Sequence, residues 1–278
     1  MSEKAIKKIA ILGASGLVAR ETIKAFGNAG FQLKLFSRNI DAKKFTNHEI
    51  VQGDVFKDSD LELAIKDCDA IHITLGQLDE FGAVQRIIKV AKKNNIKLIS
   101  YVSGATVCKE NTAMPFIKAK YESEQLLKSS GIPYMIFRPT WFMESLALMI
   151  QDGKANVIGK QPLKIRFIAS EDFGKRIVNA YQNTENFNQE FTTYGPEGLT
   201  IKEALEQYIK VKHPNISKVN NAPFWILKLM ASITGNKKLK EIIPVFEYFE
   251  KTKEAGNPDS SDRLLGKSTT TLQEWLSK

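Results

Sequence analysis

The stretch from Ala5 to Phe36 constrains this chain more than any other. It contains a short apolar run, Ile9-Ala-Ile-Leu12, of the kind that forms a parallel strand covered on both faces. The loop Gly13-Ala14-Ser15-Gly16-Leu17-Val18 follows, and then a helical pattern with Ala19, Ile23 and Phe26 on one face. Gly27 and Gly30 stop that pattern, and a second apolar run, Leu33 to Phe36, closes a βαβ unit of roughly 30 residues. Glycine at 13 lets the chain turn sharply off the strand, and glycine at 16 lets backbone N–H groups approach an anion with no Cβ in the way. A small residue is needed where the helix packs on the strand, and Ala19 supplies it. The helix then points its free N–H groups at the same place. Residues 13–18 are therefore expected to cradle a pyrophosphate.

Beyond Phe36 strands and helices keep alternating as far as Pro139. Glu49–Gln52, Ala70–Thr74, Lys97–Val102 and Tyr134–Phe137 read as strands, with helices around Leu61–Ile65, Phe81–Ala91 and Met114–Lys128. This rhythm predicts a Rossmann-type, doubly wound parallel α/β sheet, with ligands beyond the carboxyl ends of its strands. After Pro139 the pattern changes. Helices are expected over 141–150, 170–181, 199–211, 224–233, 239–251 and 271–276, strands over 165–168 and 190–193, and a linker over 256–262. The expected organisation is a dinucleotide-binding domain over residues 1–150 and a smaller, mostly helical substrate or partner lobe over 151–278. Segments around 165–195 return from that lobe to the main sheet.

Composition narrows the functional classes. With 40 Lys and Arg against 31 Asp and Glu, the net charge is +9, but the lysines are scattered in pairs and not interleaved with aromatics. That is the pattern of solvated faces, so no nucleic-acid partner is expected. The two cysteines, Cys68 and Cys108, and three histidines show no metal-ligand spacing. There is no 18-residue apolar run, and Met1 to Lys8 lacks a signal-peptide core, so no membrane span is expected and the location should be cytoplasmic.

The end of the second strand selects the cofactor. NAD sites carry a carboxylate there for the ribose 2′-hydroxyl. Here the strand ends Phe36-Ser37-Arg38-Asn39, with no acid before Asp41. Arg38 offers a planar donor fork suited to a 2′-phosphate and Ser37 adds a hydroxyl, so NADP(H) is expected over NAD(H). The alternative is a solvated loop arginine. After the third strand, Asp54 is placed to accept from an adenine amino group while Val55 packs on the ring; its alternative is a turn-forming aspartate. Thr74, Leu75 and Gly76, at the end of the fourth strand, give a further close backbone approach.

These features resemble the atypical short-chain dehydrogenase/reductase superfamily, in particular its NmrA-like, NAD(P)H-binding groups. The residues that carry the resemblance are Gly13-x-x-Gly16-x-x-Ala19, Gly53-Asp54, Ser103-Gly104, Lys120 with Glu124, and Arg138-Pro139. It covers Ala5 to about Phe142 well and the rest loosely. The resemblance implies an active site of a serine, a tyrosine and a lysine four residues later, which here gives Ser103 and Lys120 as catalytic and cofactor-binding residues. Pro139 would line the cofactor site. The tyrosine position holds Phe116, which cannot carry a proton, and Tyr121 is turned about 100° away on the helix.

Two readings lead. One is an NADPH-dependent reductase of a small apolar acceptor such as a quinone, by direct hydride transfer, with Trp141, Phe142 and Met143 lining a pocket or simply packing a core. The other is a non-catalytic NADP(H) sensor that meets a protein partner through its C-terminal lobe. A sugar-nucleotide epimerase is disfavoured, since oxidising a hydroxyl requires a positioned base. His72 and Cys108 are read as core residues.

Overall fold

The computed structural model describes residues 6–76 and 79–278, so Ala5, the first residue of the βαβ stretch, lies outside the described residues. Ile9 to Leu12 are wholly buried because β1 (Lys8–Leu12) runs through the middle of a sheet. α1 (Ala19–Asn28) turns Ala19, Thr22, Ile23 and Phe26 inward. It is followed by β2 (Gln32–Ser37), β3 (Glu49–Gln52), α2 (Asp58–Ile65), β4 (Ala70–Ile73), α3 (Glu80–Lys93), β5 (Leu98–Val102), α4 (Pro115–Lys128) and β6 (Tyr134–Pro139). Further on come β7 (Ile150–Gln151), β8 (Lys154–Ile158), α5 (Ser170–Tyr181), β9 (Gln189–Thr193), α6 (Ile201–Lys212) and β10 (Val219–Ala222). The chain ends with α7 (Phe224–Thr234), α8 (Lys237–Lys251), α9 (Asp259–Leu265) and α10 (Leu272–Ser277).

The main sheet has seven strands in the order β3-β2-β1-β4-β5-β6-β9, every neighbouring pair parallel. This is the doubly wound α/β architecture that the alternation predicts. Strand order reverses between β1 and β4, and there the carboxyl ends of β1, β2 and β4 lie level, Leu12 pairing with both Phe36 and Ile73.

The chain divides into two compact units. One comprises the described residues up to Pro139 with Ser170–Thr193 and Gly256–Lys267; the other comprises Thr140–Ala169, Tyr194–Ala255 and Ser268–Lys278. The break falls at Pro139, earlier than residue 150. Of the stretch around 165–195, α5 and β9 belong to the sheet unit. Residues 165–168 do not form the expected strand of the main sheet. They make only two isolated bridges, Phe142 with Ile168 and Ile165 with Leu199, inside the second unit.

Within the sheet unit, α5 lies directly on α1. Gly174 permits this, since a Cβ there would stand 3.0 Å from the Glu21 carbonyl oxygen. The supposed linker at 256–262 runs into α9, fixed by an Arg176–Asp262 ion pair of 2.6 Å and an Asn179 Nδ2 bond of 2.9 Å to the Leu265 carbonyl. The second unit has its own sheet, in the order β10-β8-β7, and a core that includes Met143, Val157, Phe167 and Leu205. Residues 141–150 form a 3-10 helix over Met143–Met149, not an α-helix.

His72 sits in the middle of β4 with no exposure. Its Nδ1 lies 2.7 Å from Ser100 Oγ, which in turn lies 2.6 Å from the Tyr181 hydroxyl. Burial pushes its pKa down to about 3, below the unfolded value of about 6.5. The unfolded chain therefore binds the extra proton first, and stability should fall as pH drops below about 6.5, by about 1.4 kcal/mol per pH unit. Between about pH 6 and 5, above the range of most carboxylates, His72→Phe should flatten this slope in urea titrations. An unchanged slope would mean that His72 does not control it.

Candidate dinucleotide site

The reversal of strand order opens a cleft of about 150 Å³ at the ends of β1, β2 and β4. Its floor is the glycine loop. Gly13 takes φ +94°, and a Cβ on it would stand 2.3 Å from the Thr74 carbonyl oxygen, so no other residue fits this turn. The N–H groups of Gly13 and Ala14 donate to the Phe36 carbonyl at 3.0 and 3.1 Å, tying the loop to the end of β2. Gly16 N–H donates to the Gly13 carbonyl at 2.9 Å, which fixes the loop's second turn. Val18, at the N-cap of α1, provides no side-chain cap; the Ala19 N–H donates to the Gly16 carbonyl at 3.2 Å, and the N–H groups that follow it in the first turn are left for a ligand.

Most of the residues assigned to the cofactor meet in this cleft. Gly13, Ser15 and Gly16 line it from the loop, Ser37 and Arg38 from the end of β2, and Thr74, Leu75 and Gly76 from the end of β4. The Ser15 and Ser37 hydroxyls lie 2.6 Å apart and close one wall. The backbone of Arg38 is held by Gln52 Nε2, which donates to its carbonyl at 2.8 Å. Among the described residues the Arg38 guanidinium has no ion-pair partner. Ala14 is buried and faces away, whereas Leu17 is exposed.

Asp54 behaves otherwise. Its Oδ1 accepts from the Phe56 N–H at 3.0 Å and its own N–H donates to Asp60 Oδ2 at 2.9 Å, so it builds the turn after β3. Gly53 and Val55, not Asp54, line the cleft.

Ser103 and Lys120 stand beyond β5 and on α4, each held by a buried acid. Ser103 Oγ donates to Glu124 Oε1 at 2.6 Å, and Glu124, with no exposed surface, also receives both arms of Arg138 at 2.9 and 2.5 Å. Arg138 also pairs with Glu190 at 2.6 Å, and Glu190 with Lys128. Burial disfavours the Arg138 cation, but its two carboxylate partners win and raise its pKa. Lys120 Nζ donates to Glu80 Oε1 at 2.9 Å and to the Val102 carbonyl at 3.3 Å, over the Tyr101 ring. The Tyr101 hydroxyl donates to the same Glu80 oxygen at 2.8 Å, and burial, with Glu80 beside it, pushes its pKa well above the ordinary phenol value. Pro139 ends β6 and accepts from Ala105 N–H at 2.8 Å, alongside the Ser103-Gly104 loop.

Glu80, Tyr101 and Glu190 were not singled out from the sequence. Glu80 did leave a trace, since it shares the apolar face of α3 with Val84 and Ile87, where an acid is out of place. Met143 is fully buried and Trp141 packs edge-on against Phe249 at 5.0 Å, within the core of the second unit. Burial pushes the Cys68 thiol up to about 11 and raises Cys108 as well, which disfavours the thiolate at both.

A family model described as NAD(P)H-binding matches residues 13–184, more than half of the chain. The chain belongs to this NAD(P)H-binding family. Its cleft fits the group the family binds: the turn at Gly13, the uncapped start of α1, and the open space where a Cβ on Gly76 would stand. Among similar proteins, the photosystem II assembly factor Ycf39 of Trieres chinensis is 23% identical over 242 residues, 81% of this chain and 75% of that protein. Two solved structures share the fold. The Citrobacter sp. triphenylmethane reductase complexed with NADP(H) superposes with TM-score 0.76 at 18% identity, over 97% of this chain and 99% of that one. The Escherichia coli NADPH-dependent quinone oxidoreductase complexed with NADPH gives 0.75 at 19%, over 97% and 98%.

Proposed function

We propose that this NAD(P)H-binding protein is an NADPH-dependent reductase of a small apolar acceptor of the quinone or dye kind, working in the cytoplasm. The observation that carries this reading is the tethering of the polar side chains near the end of β5. Ser103 is held by Glu124, Lys120 by Glu80, and Phe116 occupies the position where the superfamily keeps its acid. An acceptor that needs a positioned acid is poorly served by such a site, whereas a quinone needs only a hydride and then a proton from water. The similarity to the Escherichia coli quinone oxidoreductase and the Citrobacter triphenylmethane reductase supports the same class.

The residues that would hold the dinucleotide are the loop 13–18, Ser37 and Arg38 at the adenosine end, Val55 against the adenine, and Thr74 to Gly76 along the cleft. Ser103, Lys120 and Pro139 would stand towards the nicotinamide end. Bound there, the reduced nicotinamide supplies the hydride. Lys120, set in place by Glu80 and the Val102 carbonyl, would hold that end of the dinucleotide.

The same tethering also favours a second reading, a redox sensor that binds NADP(H) without turnover and presents its second unit to a protein partner. Following NADPH absorbance against a panel of quinones, triphenylmethane dyes and aldehydes separates the two. Turnover with quinones or dyes but not aldehydes is expected; no turnover with any acceptor would favour the sensor.

Cofactor choice rests on Arg38. A charge-assisted contact to the 2′-phosphate is worth about 1.5–3 kcal/mol, so NADPH should bind at least about tenfold more tightly than NADH. Arg38→Ala should remove most of that difference while leaving NADH affinity unchanged, as read by titration of nucleotide fluorescence. Equal affinities in the wild-type protein would refute the assignment.

A further inference from the structure

α7 exposes an apolar face instead of burying it. Trp225, Ile226, Leu229, Met230 and Ile233 are 68, 36, 54, 49 and 75% exposed, while Ala231 on the opposite side is buried. At about 100° per residue those five side chains fill one arc of about 140°. Scattered exposed leucines are ordinary on a protein surface, but a contiguous stripe with a tryptophan at its end marks an interaction face.

A second observation says what covers it. The turn at Gly235, left-handed at φ +66°, leads directly into Lys237, Lys238 and Lys240, all exposed in the first turn of α8. A helix start favours acids and disfavours cations, and α8 has no acid in its first turn. Three lysines there work against the helix, which points to a use outside it. Ile242 adds a further exposed apolar side chain one turn on. The α7–α8 hairpin therefore presents an apolar stripe with a cluster of positive charge at its tip, on a chain of net charge +9.

We infer that this hairpin seats the protein on an anionic membrane surface, α7 lying in the plane of the interface. Trp225, Leu229 and Ile233 enter the boundary between headgroups and acyl chains, and Lys237, Lys238 and Lys240 meet the lipid phosphates. At 11 residues α7 is about 16 Å long, which suits lying along the surface. No described helix is long and apolar enough to cross a membrane. The inference is independent of the redox reading, because vesicle binding needs neither cofactor nor acceptor.

Flotation of the full chain with phosphatidylcholine vesicles, with and without phosphatidylglycerol, tests it. Binding is expected only when the anionic lipid is present and should weaken with added salt. The triple variant Lys237→Gln, Lys238→Gln, Lys240→Gln should lose on the order of 100-fold in vesicle affinity, at about 1 kcal/mol per lysine. Ile233→Glu, at a surface position that leaves the fold intact, should abolish binding. The emission of Trp225, isolated in a Trp141→Phe, Trp275→Phe background, should shift to the blue on anionic vesicles only. Equal binding to both vesicle types, no binding to either, or a concentration-dependent dimer that shields Trp225 without vesicles would each overturn the proposal.

Discussion

Gly13→Ala should bind NADPH at least about 100-fold more weakly than the wild-type protein, the strain of a left-handed non-glycine residue alone costing about 1–3 kcal/mol. Two independent features produce the effect. The backbone at residue 13 takes φ +94°, and the added methyl would stand 2.3 Å from the Thr74 carbonyl, a backbone atom at the end of a central strand that cannot swing aside. The loop must move instead, and with it the Gly16 turn and the N-terminus of α1. The measurement is a thermal melt with increasing NADPH. Wild-type Tm should climb with ligand concentration, as binding to the native state requires, and the variant's should not. A variant that folds and is stabilised by NADPH like the wild type would show that the dinucleotide lies elsewhere.

Arg138→Met should be the most destabilising conservative change in the sheet unit. It leaves Glu124, which has no solvent exposure, with Ser103 as its remaining partner, and it frees Glu190 from one of its two cations. Breaking a buried ion pair from one side costs about 3–5 kcal/mol. For a chain of this size that lowers Tm by about 10 °C. The double variant Arg138→Met, Glu124→Leu removes both charges and should recover most of the loss, because an apolar pair of similar volume fills the space without an uncompensated ion. A single variant melting within about 2 °C of wild type would mean that water reaches the pair.

The parts of the site that could be read from the sequence are those written in local spacing. A short apolar run, a glycine, a second glycine three residues later and a small residue three beyond it fix β1, the loop and the start of α1. Position at a strand's end was enough to bring Ser37, Arg38, Val55 and Thr74 to Gly76 into one cleft, since a parallel sheet sets all its carboxyl ends on one side. Asp54 shows the limit of that argument. Being at the right place in the order does not aim a side chain, and a backbone N–H two residues on captured this carboxylate first.

What escaped was pairing across distance. Lys120 and Glu80 are 40 positions apart, and no local pattern says that an acid on the first turn of α3 will reach across to α4. α9 escaped for a related reason. Asp259 to Leu265 is short and polar, and its helix is held by Arg176 and Asn179, far upstream. The missed β7–β8 hairpin is a different matter. Asp152-Gly153, both at positive φ, is a turn signal present in the sequence, and Ala155 and Val157 alternate inward just after it. That hairpin was legible, and the helical reading of the preceding segment hid it.

The discontinuity of the sheet unit has a consequence for how the chain comes into being. Strands emerge from the ribosome in the order β1 to β6, but the partner of β6 is β9, and its register, Phe137 opposite Phe191, is available only once Gln189–Thr193 has been made. At about 5–20 residues per second that leaves several seconds in which the outer edge of β6 offers unpaired N–H and C=O groups. Through most of the same interval the face of α1 that Gly174 later presses against is bare as well. A piece cut at the end of β6 would keep that edge unpaired and that face of α1 bare. Until the returning segment closes the sheet, the nascent chain carries an open strand edge of the kind that pairs with other chains.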